Sequence, residues 1–321
     1  MLSLQGCAAK QVKSDSPPTT LSTLYQSIIL DSKTQKVITI QEFAQQLKSV
    51  DVVFIGEFHG NHASHLLQAE LQAALHKQRP DQLLSMEQFN RDQQTFVNQY
   101  LDEQIGEVYL INEAPAWNNY AASYRPLVDF ARQNLLPVIA ANAPANTVRC
   151  IGRQGAGYLD KLTEKERKEI AEKPFEDIAG YREFFMAFLK GAKRFDKARS
   201  ENSYLAQLTR DNTMAESIFQ ARTIYPNAQI IHTNGAFHSD NGLGTVGALK
   251  RLDPNLSIKV ISPVNVDPEQ PFEFADGDYG KGDFIYLLQA QPVQYRDASY
   301  RQKVMKQMFE SADAKACIGD E

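Results

Sequence analysis

Cysteine is scarce: Cys7, Cys150 and Cys317 are the three in 321 residues. That excludes a disulfide scaffold and a cysteine-rich zinc site. No run approaches the apolar length of a membrane span. Excess positive charge is lacking too. The net charge of −5 gives a nucleic-acid role no electrostatic support. What remains is ordinary for a globular chain with a large core, 43% hydrophobic and 23% charged.

Against that background, residues 51–65 stand out. Val52 to Ile55 reads as a buried strand, and Gly56 ends it. Glu57 and His59 follow two apart, so in extended backbone they point the same way. Asn61 is a good N-cap for a helix carrying Leu67, Leu71 and Leu75. His62 and His65 share a face of that helix, as ligands or as solvated polar positions.

The same arrangement returns later. Ala228 to Thr233 is apolar, and Gly235-Ala236-Phe237-His238 repeats the Gly-x-Phe-His pattern of Gly56 to His59. Strands are also predicted at 37–40, 83–86, 135–141, 257–263 and 283–288, with helices between them. Alternating strands and helices predict an α/β fold: a mainly parallel, doubly wound sheet with helices on both faces. Ala116 to Gln133 reads as one amphipathic helix, 155–200 as a helical insertion (a lid) over the strand ends, and 200–223 as a return helix. In a parallel sheet Glu57, His59, Glu87, Asn142 and His238 then lie at one edge, each just past an apolar run.

Two histidines and two carboxylates there can hold a divalent metal with an open position for water. Equally, Glu57 can orient a histidine as its hydrogen-bond partner, or Glu87 can pair with Arg91 one turn later. His76 and His232 read as structural, and Trp117, Tyr120 and Tyr124 as core. Cys150 and Cys317 read most simply as unpaired, with a disulfide open to them in an oxidising compartment.

The runs Val-Val-Phe-Ile-Gly-Glu-Phe-His, Ser-Met-Glu-Gln-Phe-Asn-Arg and Asn-Thr-Met-Ala-Glu-Ser-Ile, with the second Gly-x-x-His, resemble the ChaN branch of the Tiki superfamily from about residue 37 to 290. The resemblance implies a haem-binding bacterial lipoprotein associated with haem and iron uptake. It implies an outer-membrane haem receptor as partner and a homodimer around the ligand. Relatives in the superfamily imply the alternative, a metal-dependent peptidase or esterase. There Glu57, His59, Glu87 and His238 would be catalytic, or metal ligands.

For haem, tyrosinate or histidine can ligate the iron. Tyr181 and Tyr204 are the candidates, with His62 and His65 as alternatives and Met186 among the apolar walls. Lys190, Lys193 and Arg194 are candidates for the propionates. Leu4-Gln5-Gly6-Cys7 resembles a lipobox, which makes Cys7 the expected lipidation site and the bacterial cell envelope, at the outer membrane, the expected location. The alternative is a disordered cytosolic start with an incidental thiol. The expected division is a start and tether over 1–23, one domain over 24–315 and a tail over 316–321.

Overall fold

The computed structural model describes residues 20–114, 117–192, 197–269 and 277–318. Among them, eight strands form one sheet. They are β1 (Ser27–Asp31), β2 (Val37–Ile38), β3 (Val52–Glu57), β4 (Gln82–Asn90), β5 (Val138–Asn142), β6 (Gln229–Gly235), β7 (Ile258–Val266) and β8 (Phe284–Gln289). Their order is β2-β1-β8-β7-β3-β6-β4-β5. From β8 to β5 every pairing is parallel; β1 and β2 add an antiparallel margin. The expected α/β class and parallel sheet are borne out.

The apolar runs are continuous because both faces are covered. Val53 and Ile55 of β3 pack with helices Ile40–Leu47, His62–Gln78 and Arg125–Gln133. Val52 and Phe54 point the other way, into a second core with helices Tyr181–Ala192, Lys197–Ile224 and Gly244–Leu252. Burying each such side chain contributes about 1.5–3 kcal/mol, so reversing the strand's register would cost both cores at once.

Three local readings change. Ser27–Asp31 is a strand that the pattern of helix and strand signals did not reveal. The helix expected over Ala116 to Gln133 is two, Tyr120–Ser123 and Arg125–Gln133. Pro126 explains the break: it has no N–H to continue a helix, yet suits a first turn. Within 155–200 the chain forms short pieces, Ala156–Lys161, Glu164–Lys168 and Tyr181–Ala192.

Cys150 and Cys317 are joined by a disulfide, which corrects the reading of both as free thiols. Arg153 donates to the carbonyl of Lys315 and Arg149 to that of Ala316, so the last described residues lie along helix Ala145–Gln154.

The connections place the site. β3 crosses to β4 over the first face, and β6 crosses to β7 over the second. β3 and β6 are neighbours whose connections leave in opposite directions. The carboxyl ends of such a pair open a crevice, the usual binding position in a doubly wound sheet. Glu57 is in register with Gly235 across it.

Candidate functional site

The β3 loop is shaped by two residues. Gly60 has φ +75°, a left-handed turn that glycine adopts without strain. Asn61 caps the following helix, its side chain accepting from the Ser64 N–H at 3.1 Å. The turn leaves His59 at the surface, its side chain 47% exposed, and keeps Glu57 fully buried beneath it.

Glu57 is saturated. Its Oε1 accepts from His59 Nδ1 at 2.7 Å and from the Tyr124 hydroxyl at 2.6 Å. Its Oε2 accepts from Gln68 Nε2 at 2.8 Å. Burial would lower the His59 pKa, but the Glu57 hydrogen bond and the Glu87 charge overcome it and raise the pKa. With Nδ1 held by Glu57, Nε2 is the nitrogen left for a ligand. The ring lies edge-on to Trp117, centroids 4.9 Å apart.

On the other side of β6, Glu87 and His238 are sealed in. Glu87 Oε2 accepts from the Gly235 N–H at 2.6 Å, and its Oε1 lies 3.4 Å from His238 Nε2. The other ring nitrogen, Nδ1, meets Asp211 Oδ1 at 2.7 Å. Thr245 and Tyr181 also donate to Asp211, each at 2.8 Å. Burial would push His238 down; instead the Glu87 and Asp211 carboxylates push it up to about 10. Burial likewise opposes the charge on Glu87, yet His238, His59 and the Gly235 amide hold Glu87 well below the usual carboxylate range.

The two groups meet over Gly235. A Cβ there would stand 2.7 Å from His59 Nε2 and 3.6 Å from Glu87 Oε2. Glycine is required because the imidazole occupies that space.

The four strand-end residues Glu57, His59, Glu87 and His238 are therefore brought together. No cluster of three or more His, Cys, Asp or Glu with metal-binding geometry occurs among the described residues. In this arrangement Glu87 and Asp211 both engage the His238 ring, and Glu57 engages that of His59.

The residues expected around haem are placed as follows. Tyr181 is fully buried and donates to Asp211; burial and that carboxylate hold its pKa well above the usual value. Tyr204 is buried, donates to Asp177, and is raised likewise. Each phenol thus hydrogen-bonds a carboxylate of its own chain. His65 is buried under the β3 loop: its Nε2 accepts from the Gly60 N–H at 3.2 Å, and burial lowers its pKa. His62 is exposed beside Tyr25, 5.5 Å between centroids, and takes no part in the Glu57 or Glu87 networks. Met186 is partly buried and packs against the second core, as Phe184 and Phe237 do. Lys190 is exposed, and Lys193, Arg194 and Cys7 lie outside the described residues.

His232 is a buried, hydrogen-bonded core residue, 2.9 Å from the Ser85 hydroxyl, and burial pushes its pKa down to about 3. Asn142 holds the site from behind, donating to the Glu87 carbonyl at 3.0 Å. Tyr124, read as core, turns out to be a partner of Glu57.

Asp211 was missed altogether. Its signal was present: it falls seven residues after Tyr204 on the buried stripe of its helix. A carboxylate on such a stripe is rarely buried without a partner.

An aromatic group borders the buried histidine. Phe237 stacks on Phe184 with centroids 4.9 Å apart, and Phe188, 61% exposed, lies 5.1 Å from the same ring. A cavity of about 400 Å³ lies elsewhere, along the outer edge of β5, lined by residues such as Gln94, Val138 and Tyr225.

Comparison with known proteins agrees with this architecture. The solved structure described as cofacial haem binding to ChaN of Campylobacter jejuni superimposes with a TM-score of 0.59 at 14% identity, over 82% of this chain and 97% of that one. That likeness shows the fold. The structure of a mutant of the erythromycin esterase EreC, in its open conformation, covers 87% of each chain at 13% identity, but its TM-score of 0.43 is too low to carry an argument. In sequence, the chloroplastic protein RETICULATA-RELATED 5 of Arabidopsis thaliana is 26% identical over 227 residues, 65% of this chain. The chain spans only 29% of that plant protein's length. The family model described as haem-binding uptake, Tiki superfamily, ChaN matches residues 43–249, from the helix before β3 to the helix after the His238 loop. More than half of the chain, including both Gly-x-Phe-His loops, thus lies within the match, and the chain belongs to the ChaN family of the Tiki superfamily.

Proposed function

We propose that the crevice between β3 and β6 binds haem, with His59 Nε2 as the axial donor. The observation that carries this is the posture of His59. Its side chain is 47% exposed, and Glu57 fixes the ring's orientation through Nδ1. A carboxylate on the far nitrogen is the usual way a protein orients a metal-binding imidazole and raises its basicity. Trp117 and the Phe184, Phe188 and Phe237 group supply apolar surface on either side. Bound there, haem would supply an iron centre with histidine ligation. The chain's own residues orient the imidazole and shield its carboxylate from water.

The role that fits is haem and iron uptake in the cell envelope, with the chain anchored through an acylated Cys7. The Cys150–Cys317 disulfide supports a compartment outside the reducing cytosol. An outer-membrane haem receptor and a second copy of the chain are the partners this reading implies.

The test is a haem titration followed by the Soret band. Wild type is expected to shift saturably, His59→Ala to lose the shift, and Tyr181→Phe and Tyr204→Phe to keep it. An undiminished shift in His59→Ala overturns the assignment. For anchoring, labelled palmitate incorporation should vanish in Cys7→Ser.

A hydrolase is the second reading, favoured by the Asp211–His238–Glu87 chain, which resembles an acid–base relay. Its weakness is that a base pushed up to about 10 stays protonated at neutral pH. Ester hydrolysis lost in His238→Gln would restore it.

A further inference from the structure

Arg210 is a half-buried cation without a partner. It sits three residues after Gln207 and one before Asp211 on helix Lys197–Ile224. Both neighbours reach His238: Gln207 Nε2 lies 3.2 Å from its Nδ1, and Asp211 lies 2.7 Å away. Positions three and four apart share a helix face, so Gln207, Arg210 and Asp211 belong to the stripe turned towards the site.

The other partly buried arginines are paired. Arg79 donates to Val50, Arg91 to Glu216, Arg132 to Glu103, Arg167 to Ala171 and Arg222 to Asp51. The Arg210 side chain makes no hydrogen bond or ion pair with any described residue. The nearby carboxylates are not available to it. Asp211 already accepts from His238, Thr245 and Tyr181, and Glu87 is engaged by Gly235 and His238. Burial holds the Arg210 pKa below its ordinary value, and the charges of Glu87 and Asp211 only partly offset that. A guanidinium carries five donors in a planar fork. No described residue takes them, so the fork is open to a ligand.

We propose that Arg210 is the anion anchor of the site and takes a carboxylate of the bound ligand, a propionate in the case of haem. This rests on the haem reading above. Carboxylate and guanidinium match as a two-pronged, charge-assisted pair. The anchor lies on the Asp211 side, whereas the axial donor is presented by the β3 loop. The site therefore grips one end of an amphiphilic, planar anion by its charge and leaves its apolar face to Phe237 and its neighbours.

The experiment titrates haem and haem dimethyl ester, whose carboxylates are blocked, into wild type, Arg210→Met and Arg210→Lys. Wild type should prefer free haem over the ester by about 10-fold or more, the scale of a hydrogen bond to a charged group. Arg210→Met should bind both equally, through loss of affinity for haem with the ester unchanged. Arg210→Lys, which keeps the charge without the fork, should recover part of the preference. A full preference retained in Arg210→Met overturns the anchor while leaving the haem site standing. Absence of any haem binding by wild type overturns the haem reading and the anchor together.

Discussion

The two Gly-x-Phe-His loops end neighbouring strands and yet hold their histidines in opposite conditions. His59 is 47% exposed and leans on one carboxylate from its own strand. His238 is 9% exposed and is clamped by two carboxylates brought from distant elements, β4 and helix Lys197–Ile224. One motif thus does two jobs. In the first loop it presents a nitrogen; in the second it locks the crevice floor by charge. The difference comes from which sheet face each partner reaches, because Glu57 faces the helices of the first core and Glu87 those of the second.

The comparison breaks most readily at Asp211. Asp211→Ala leaves a buried imidazolium short of its partner and should cost about 3–5 kcal/mol of stability in urea denaturation. His59→Ala removes one of three hydrogen bonds to the buried Glu57, which keeps Tyr124 and Gln68, and should cost less, about 1.5–3 kcal/mol. Equal losses would show that the loops are energetically alike.

Titration sharpens the same contrast. The folded value of His238 is raised from 6.5 to about 10, so its contribution is fully present below pH 6.5 and is lost as pH rises through about 10. Glu87 is lowered from 4.5, so its contribution is present above that pH and is lost on acidification. Stability measured from neutral pH upward should therefore fall in wild type by a few kcal/mol more than in His238→Gln.

Gly235→Ala is a smaller test at the point where the loops meet. The added methyl meets His59 Nε2 at 2.7 Å. Overpacking of this kind costs about 1–3 kcal/mol. Because the imidazole must swing away, haem affinity should fall more than the melting temperature suggests. The least effect is expected from His62→Ala. This exposed side chain lies outside both networks, so stability should change by no more than about 0.5 kcal/mol and haem titration should be unchanged.

Much of this site was legible from the chain. Glu57, His59, Glu87 and His238 each follow an apolar run, and parallel strands put such positions on one edge. Residues contributed from helices and from the breaks between them were harder to see. Tyr124 and Asp211 have no strand-end signal, and their partners lie 67 and 27 residues away. Tyr181 shows the converse. Its place on an aromatic stripe was readable, but the fate of its hydroxyl depends on an acid 30 residues later. The Cys150–Cys317 bond, at a separation of 167, has no local signature at all.

That bond has a consequence for how the molecule is held closed. The chain leaves the sheet at β8, near the antiparallel margin, and its tail is fastened to the helix that follows β5, at the opposite edge. The disulfide is therefore a buckle on a belt drawn across the width of the sheet. The belt includes helix Ala298–Asp313, whose Tyr300 and Met308 are 59% and 58% exposed and bury little to hold it in place. Opening the buckle should loosen the belt and leave the β3–β6 crevice intact. Limited proteolysis under reducing conditions would then cut after residue 290 first, and the order of the last segment would report the redox state of its surroundings.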